Sequence, residues 1–276
     1  MVIKVMQIIT SLKNPKVGEA VRLMDRRRRE ETGLFLIEGV RELSLAIKSG
    51  IKLLRLFYCE ELFKGDDERE MIKTALKQGA ELLPVTLNVF KKMVYREGSF
   101  GLLAEAEQFK IELKDISLAA PPLLIVVESA EKPGNLGAIL RSADAAGADG
   151  VIVCGKGADI YNPNVVRASM GALFTIPVVE STAEEAIGWL KDKGITILAA
   201  TPDADVNYFD ADLSGTCAIV MGSEHEGLSN VLLKAADIKV MIPMKGKADS
   251  LNLSTATAVI LYEAVRQRRE KNALKI

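Results

Sequence analysis

Apolar and polar positions alternate along the chain in two rhythms, and the rhythm changes near residue 120. From Lys16 to Arg29, Val17, Ala20, Val21 and Met24 recur at helical spacing behind an Asn14-Pro15 entry signal, which predicts one helix ending near Gly33. "LFLIEG" reads as a short strand, "VRELSLAIKSG" as a helix stopped by Gly50, and "IKLLRLFYC" as a second strand. The stretch "EREMIKTALKQG" is a helix, "AELLPVT" a strand, "LNVFKKMVYREG" a helix and "FGLLAEAEQF" a strand. This alternation predicts a small α/β sandwich over residues 1–110.

Periodicity fades over "KIELKDISLAAPP", which ends in Pro121-Pro122, so residues 111–122 read as an extended linker. Beyond it, "LLIVVES" and "GVIVCG" are continuous apolar runs, the pattern of buried parallel strands. "FTIPVVE", "ITILAAT", "CAIVMGSE" and "IKVMIPM" repeat that signal, with helices through "LGAILRSADAAG", "AEEAIGWLKDKG" and "SNVLLKAAD" between runs. The last helix carries Ala258, Ile260, Leu261, Ala264 and Val265 on one face. Residues 123–276 are therefore expected to form a parallel α/β sheet of about six strands.

Composition agrees with two globular domains: 276 residues, 49% hydrophobic and 26% charged. No apolar stretch approaches the ~18–20 residues of a membrane span, and the first residues lack a secretory leader pattern, so a cytoplasmic location with no membrane partner is expected. Cys59, Cys154 and Cys217 match neither a disulfide framework nor a metal spacing and read as small buried hydrophobes. The net charge of −1 conceals an asymmetry, because residues 1–58 hold 12 Lys and Arg against 6 Asp and Glu, leaving −7 on the remainder. The basic end includes Arg26, Arg27, Arg28 and Arg29 in succession, which suits either a phosphate backbone or a solvated helix face paired with Glu30 and Glu31.

In an open parallel sheet, ligands bind beyond the carboxyl ends of the strands, so the loops after each apolar run carry the candidate chemistry. "EKPGNLGAILRSADAAGADG" offers Gly134 and Gly137 for close backbone approach, with Asn135 and Arg141 as polar groups. Neither the G-x-G-x-x-G fingerprint nor the P-loop pattern is present, which disfavours a dehydrogenase or an NTPase. "MGSEHEGLSN" holds the sole histidine, His225, between two glutamates. "IPMKGKADSLNLSTATAVILYEA" crowds Gly246, Ser250, Asn252, Ser254 and Thr255 before the last helix, where capping accounts for some of them.

In this order and spacing, the three segments resemble the three motifs of the SpoU/TrmH-type RNA 2'-O-ribose methyltransferases of the SPOUT superfamily. The residues are Asn135, Gly137 and Arg141; Gly222, Glu224, Gly227 and Leu228; and Ile242, Pro243, Met244, Ser250, Leu251, Asn252 and Ser254. "VRASMGALFTIPV" resembles the segment between the family's first two motifs and adds Arg167. "ITSLKNPKV", the Arg-rich stretch and "GLFLIEG" resemble a ribosomal-protein-like substrate-binding module.

The resemblance implies a trefoil-knotted C-terminal sheet that binds S-adenosylmethionine, a homodimer, no metal, and methylation of a ribose 2'-hydroxyl in RNA. The two-domain layout favours 23S ribosomal RNA over tRNA. It assigns Asn135, Arg141, Glu224, Ser250 and Asn252 to catalysis, Ala200, Gly222, Ile242 and Leu251 to the cofactor, and Arg26 to Arg29 with Arg167 to RNA. A guanidinium with a pKa above ~12 is a poor base, so Arg141 is expected to grip a phosphate and stabilise the developing alkoxide. Glu224 is expected to orient a neighbour, and His225, at a variable motif position, to be an exposed loop residue. The rivals are an RNA-binding assembly protein that no longer methylates and a metabolic oxidoreductase.

Overall fold

A computed structural model of the chain describes residues 7–94, 100–155 and 159–273. The first helical stretch is two helices, α1 (Pro15–Arg22) and α2 (Arg26–Thr32), where periodicity predicts one. Asp25 makes the break: its carboxylate accepts the Arg27 N–H at 2.8 Å and caps a new helix start. Strand β1 (Leu34–Glu38), α3 (Val40–Lys48), β2 (Leu53–Tyr58), α4 (Asp67–Lys77), β3 (Glu81–Pro84), α5 (Leu87–Met93) and β4 (Leu102–Glu107) follow in the predicted order. The part of the α5 expectation that covers residues 95–98 lies outside the described residues. These strands form a sheet in the order β1-β4-β2-β3, with β4 antiparallel to β1 and β2 and β3 parallel to β2. Val17, Ala20 and Leu23 join Val89, Phe90 and Met93 over Leu36, Phe57 and Leu103 to make its core.

The chain continues through β5 (Leu123–Glu128), α6 (Pro133–Ala145), β6 (Gly150–Cys154), α7 (Pro163–Ala168), β7 (Val178–Ser181) and α8 (Ala183–Asp192). Then come β8 (Thr196–Ala200), β9 (Val206–Asn207), β10 (Cys217–Met221), α9 (Asn230–Ala235), β11 (Ile238–Met241) and α10 (Leu253–Ala273). The sheet order among described residues is β7-β6-β5-β10-β8-β11-β9, with every pairing parallel. Six strands match the apolar runs, whereas β9 is a two-residue edge strand too short to show any period.

Two compact units result, one from residues up to Phe109 together with Asp159–Thr175, the other from Lys110–Ala158 and Ile176 onward. The segment carrying α7 thus coheres with the first unit, although the sequence places it in the second. Tyr161 explains this: its ring lies 4.8 Å from that of Phe35 and 5.6 Å from that of Phe109, and its hydroxyl donates to the Phe109 carbonyl. Phe174 closes the same cluster, 6.3 Å from Phe35. The expected linker differs too. Ile116 is buried and Ile111, Leu113 and Leu118 pack with it on the core of the second unit. The Asp149 carboxylate accepts the Ala119 and Leu123 N–H groups at 2.9 and 2.7 Å, and Arg268 donates to the Pro121 and Pro122 carbonyls, both at 2.8 Å. The fading periodicity here marks irregular backbone that is nonetheless packed.

No described helix is long and apolar enough to cross a membrane, and no described His, Cys, Asp and Glu group could hold a metal ion. Cys59, Cys154 and Cys217 are buried and unpaired, and burial pushes the Cys154 thiol up to about 12.

Candidate active site

Register aligns the ends of three strands. Met221 of β10 sits opposite Ala200 of β8, and Ala200 sits opposite Val240 of β11, so the chain leaves the sheet side by side at all three. The residues that follow include Gly222 and Ile242, and Ala200 itself closes β8. Met221 is also level with Val127, one residue before Glu128 ends β5. The first motif therefore begins from the strand beside the second.

Glu224 gathers the loops. Its Oε1 accepts Asn135 Nδ2 and Asn252 Nδ2, each at 2.8 Å, while its Oε2 takes the Lys132 ammonium. Asn252 Nδ2 also reaches Asn135 Oδ1 at 3.1 Å, so residues from all three motifs share one network. The Lys132 hydrogen bond, the largest influence, acts with the Asn135 hydrogen bond, the Lys132 charge and the Leu253 N–H to outweigh desolvation and hold the Glu224 carboxyl below its usual range. A carboxylate with both oxygens occupied and its pKa lowered is a weak proton acceptor and a good organiser. The capping reading holds for one end of Asn252, whose Oδ1 accepts the Ser254 N–H at 3.1 Å and the Ser254 hydroxyl at 2.7 Å at the start of α10. Its Nδ2 is what joins the network.

The turn that presents Glu224 depends on two glycines. A Cβ on Gly222 would collide with the backbone of Gly227 and Leu228, and Gly227 adopts a left-handed φ of 66°. The Ser223 N–H donates to the Gly227 carbonyl at 3.0 Å, and the Glu226 N–H donates to Ser223 Oγ at 2.9 Å. Beyond β11, one strand removed from β10, the chain offers Ile242, half-buried, and next to Asn252 it offers Leu251, which is 37% exposed despite its apolar side chain. Backbone groups plus apolar side chains fit the adenosine part of S-adenosylmethionine.

Asn135, Glu224 and Asn252 are thus brought together. Ser250 lies exposed in the loop before α10, outside the network, and Arg141 lies on the exposed side of α6. Arg167 belongs to the first unit. His225 is exposed. The four arginines part company: Arg26, Arg27 and Arg28 are solvent-facing, paired with Glu30 and Glu31, whereas Arg29 is 1% exposed. Its guanidinium donates to the Leu23 carbonyl at 2.6 Å and pairs with Asp159, which removes it from any RNA-facing set. Sequence reasoning does not single out Lys132; its position three residues before Asn135, in the loop leaving β5, is the available signal.

Fold and site together define an open parallel α/β protein with a polar network at the strand carboxyl ends. The SpoU rRNA Methylase family model matches residues 122–262, and an MRM3-like substrate binding domain matches residues 14–104. A 23S rRNA (uridine(2479)-2'-O)-methyltransferase from Streptomyces viridochromogenes is 34% identical over 252 residues, covering 89% of this chain and 87% of that protein. A solved RNA 2'-O ribose methyltransferase is 40% identical with a TM-score of 0.85, covering 95% of this chain and 100% of its own. An AdoMet-bound rRNA methyltransferase from Sinorhizobium meliloti is 32% identical with a TM-score of 0.86, covering 95% and 98%. The chain belongs to the SpoU rRNA methylase family.

Proposed function

We propose that this protein transfers a methyl group from S-adenosylmethionine to a ribose 2'-hydroxyl of 23S ribosomal RNA. The observation that carries the reading is the Glu224 carboxylate, which ties Asn135 and Asn252 into one constellation at the strand ends. Ala200, Gly222, Ile242 and Leu251 would hold the cofactor, which when bound supplies an electrophilic methyl on a sulfonium. The remaining work is alignment and charge. Arg141 grips the phosphate beside the target ribose and stabilises the alkoxide as the hydroxyl loses its proton. Asn135 and Asn252 hold the nucleotide, Glu224 fixes both amides, and Ser250 donates a further hydrogen bond.

RNA is held by Arg26, Arg27, Arg28 and Arg167. The surface pairs of Arg26 to Arg28 with Glu30 and Glu31 are weak, so exchanging them for phosphates costs little. The knotted threading of the C-terminal strands, a homodimer and a cytoplasmic site of action belong to the same proposal. Mapping 2'-O-methylation across rRNA and tRNA from cells with and without the gene tests it. One ribose in 23S rRNA should lose its methyl group; a change confined to tRNA would overturn the substrate.

A further inference from the structure

We propose that the first unit holds a pocket for one guanine base of single-stranded RNA, built on Glu105 and Arg55. The proposal rests on the reading of that unit as RNA-binding. A cleft of about 220 Å³ opens there, with Leu23, Leu34 and Leu54 as apolar walls and Arg28 among its lining residues. It is smaller than the ~300–1,000 Å³ sites that take drug-sized ligands, which leaves room for a single ring system.

Glu105 sits in the cleft lining on β4 and is 1% exposed. Its Oε2 accepts Arg55 Nη1 at 3.2 Å, but its Oε1 is buried without a hydrogen-bond partner among the described residues. A buried carboxylate oxygen left unpaired is costly, and a ligand that brings an N–H donor recovers that cost. Arg55 cannot fill the gap alone. Its Nη1 is shared with Glu19 at 2.6 Å, and its Nε faces Glu81 at 3.5 Å, so one guanidinium serves three carboxylates.

The pairing of a spare acceptor with a guanidinium selects among bases. Guanine alone presents adjacent N–H donors at N1 and N2 beside acceptors at O6 and N7, matching Glu105 and Arg55 together. Adenine offers one amine, and uracil's single N–H lies between two carbonyls that would face the carboxylate. Bases of single-stranded RNA are free to be splayed out and read along their edges in this way. Arg28, whose side chain is 38% exposed and pairs with exposed Glu31, is placed to take the adjoining phosphate.

The test uses the full chain and fluorescently labelled RNA hexamers in anisotropy titrations: UUGUUU, the same with inosine or adenosine in place of guanosine, and U6. The guanosine hexamer should bind at least tenfold tighter than the adenosine hexamer or U6, with inosine between them because it lacks the N2 amine. Glu105→Gln should bring the guanosine hexamer within twofold of U6. Leu54→Trp, which fills the cleft and leaves the charged groups in place, should do the same and stands in if Glu105→Gln melts early. Arg26→Ala should weaken all hexamers alike. Equal binding of the four hexamers, no binding of any, or a guanosine preference that survives both variants would overturn the pocket. Labelled methyl transfer to 23S rRNA is scored separately, so its retention alongside equal hexamer binding would sink only the pocket.

Discussion

Asn252 Nδ2 lies 2.8 Å from Glu224 Oε1, which joins segments 28 residues apart through one hydrogen bond. Because Glu224 also fixes Asn135, its loss should release two amides at once. Glu224→Ala is expected to lower the single-turnover methyl-transfer rate by about 100-fold, the scale of a misplaced reacting group, with the fold intact by circular dichroism. Lys132→Met should cost no more than a few-fold, since Lys132 is 64% exposed and such pairs contribute about 0.2–1 kcal/mol. His225→Ala should keep most activity. Equal losses in all three variants would remove the distinction between organiser and bystander.

The lowered Glu224 pKa sets a pH window. A carboxyl whose folded value lies below its unfolded one contributes stability that is complete above the unfolded value and is lost as pH falls through the folded one. The difference in urea-unfolding free energy between wild type and Glu224→Gln should therefore stay constant from neutral pH down to the ordinary carboxylate range. It should then shrink as the solution becomes more acidic. A difference that grows on acidification would contradict the assigned direction.

Gly222→Ala places a methyl group against backbone atoms of Gly227 and Leu228, which cannot yield by a rotamer change. Overpacking of this type costs about 1–3 kcal/mol. Isothermal titration should show S-adenosylmethionine binding weakened by roughly tenfold or more, a factor of ten being about 1.4 kcal/mol. Unchanged affinity would show that this turn does not shape the cofactor site.

Arg29 and its three neighbours should respond differently to substitution. Arg29→Met leaves Asp159, only 14% exposed, without its partner, and should destabilise the protein by about 3 kcal/mol in urea unfolding, the low end for a broken buried pair. Arg26→Ala should cost at most about 0.5 kcal/mol, as exposed i,i+4 pairs do. For RNA binding the order reverses: each of Arg26, Arg27 and Arg28 replaced by alanine should flatten the log-log salt dependence by about 0.7–0.9, the share of one neutralised phosphate. A triple alanine variant with an unchanged slope would separate this helix from RNA.

Much of this architecture is legible because buried parallel strands are written as apolar runs. β5, β6, β8 and β10 are buried at nearly every position, and nothing competes with that signal. The three loops are legible through their glycines and amides. The burial of one arginine is foreseeable in kind, since residues advance about 100° along a helix and four in a row cannot all face solvent on a packed helix, but which one turns inward is not. Helix α2 has the further signal of Asp25 as an N-cap, hidden under the continuous periodicity of Val17, Ala20, Val21 and Met24. The placement of Asp159–Thr175 with the first unit is not legible, because it rests on ring packing such as that of Phe35 with Tyr161, distant in sequence. Lys132 carries only a positional signal, three residues before Asn135, since its role depends on meeting Glu224 across 92 residues.

The central claim is tested most directly by incubating the purified chain with methyl-labelled S-adenosylmethionine and unmodified 23S rRNA, then digesting the RNA to nucleosides. Wild type should place label on the 2'-oxygen of one nucleotide, and Arg141→Ala, folded and binding S-adenosylmethionine normally, should place almost none. Label on a base atom, no label with wild type, or full transfer by Arg141→Ala would contradict the account.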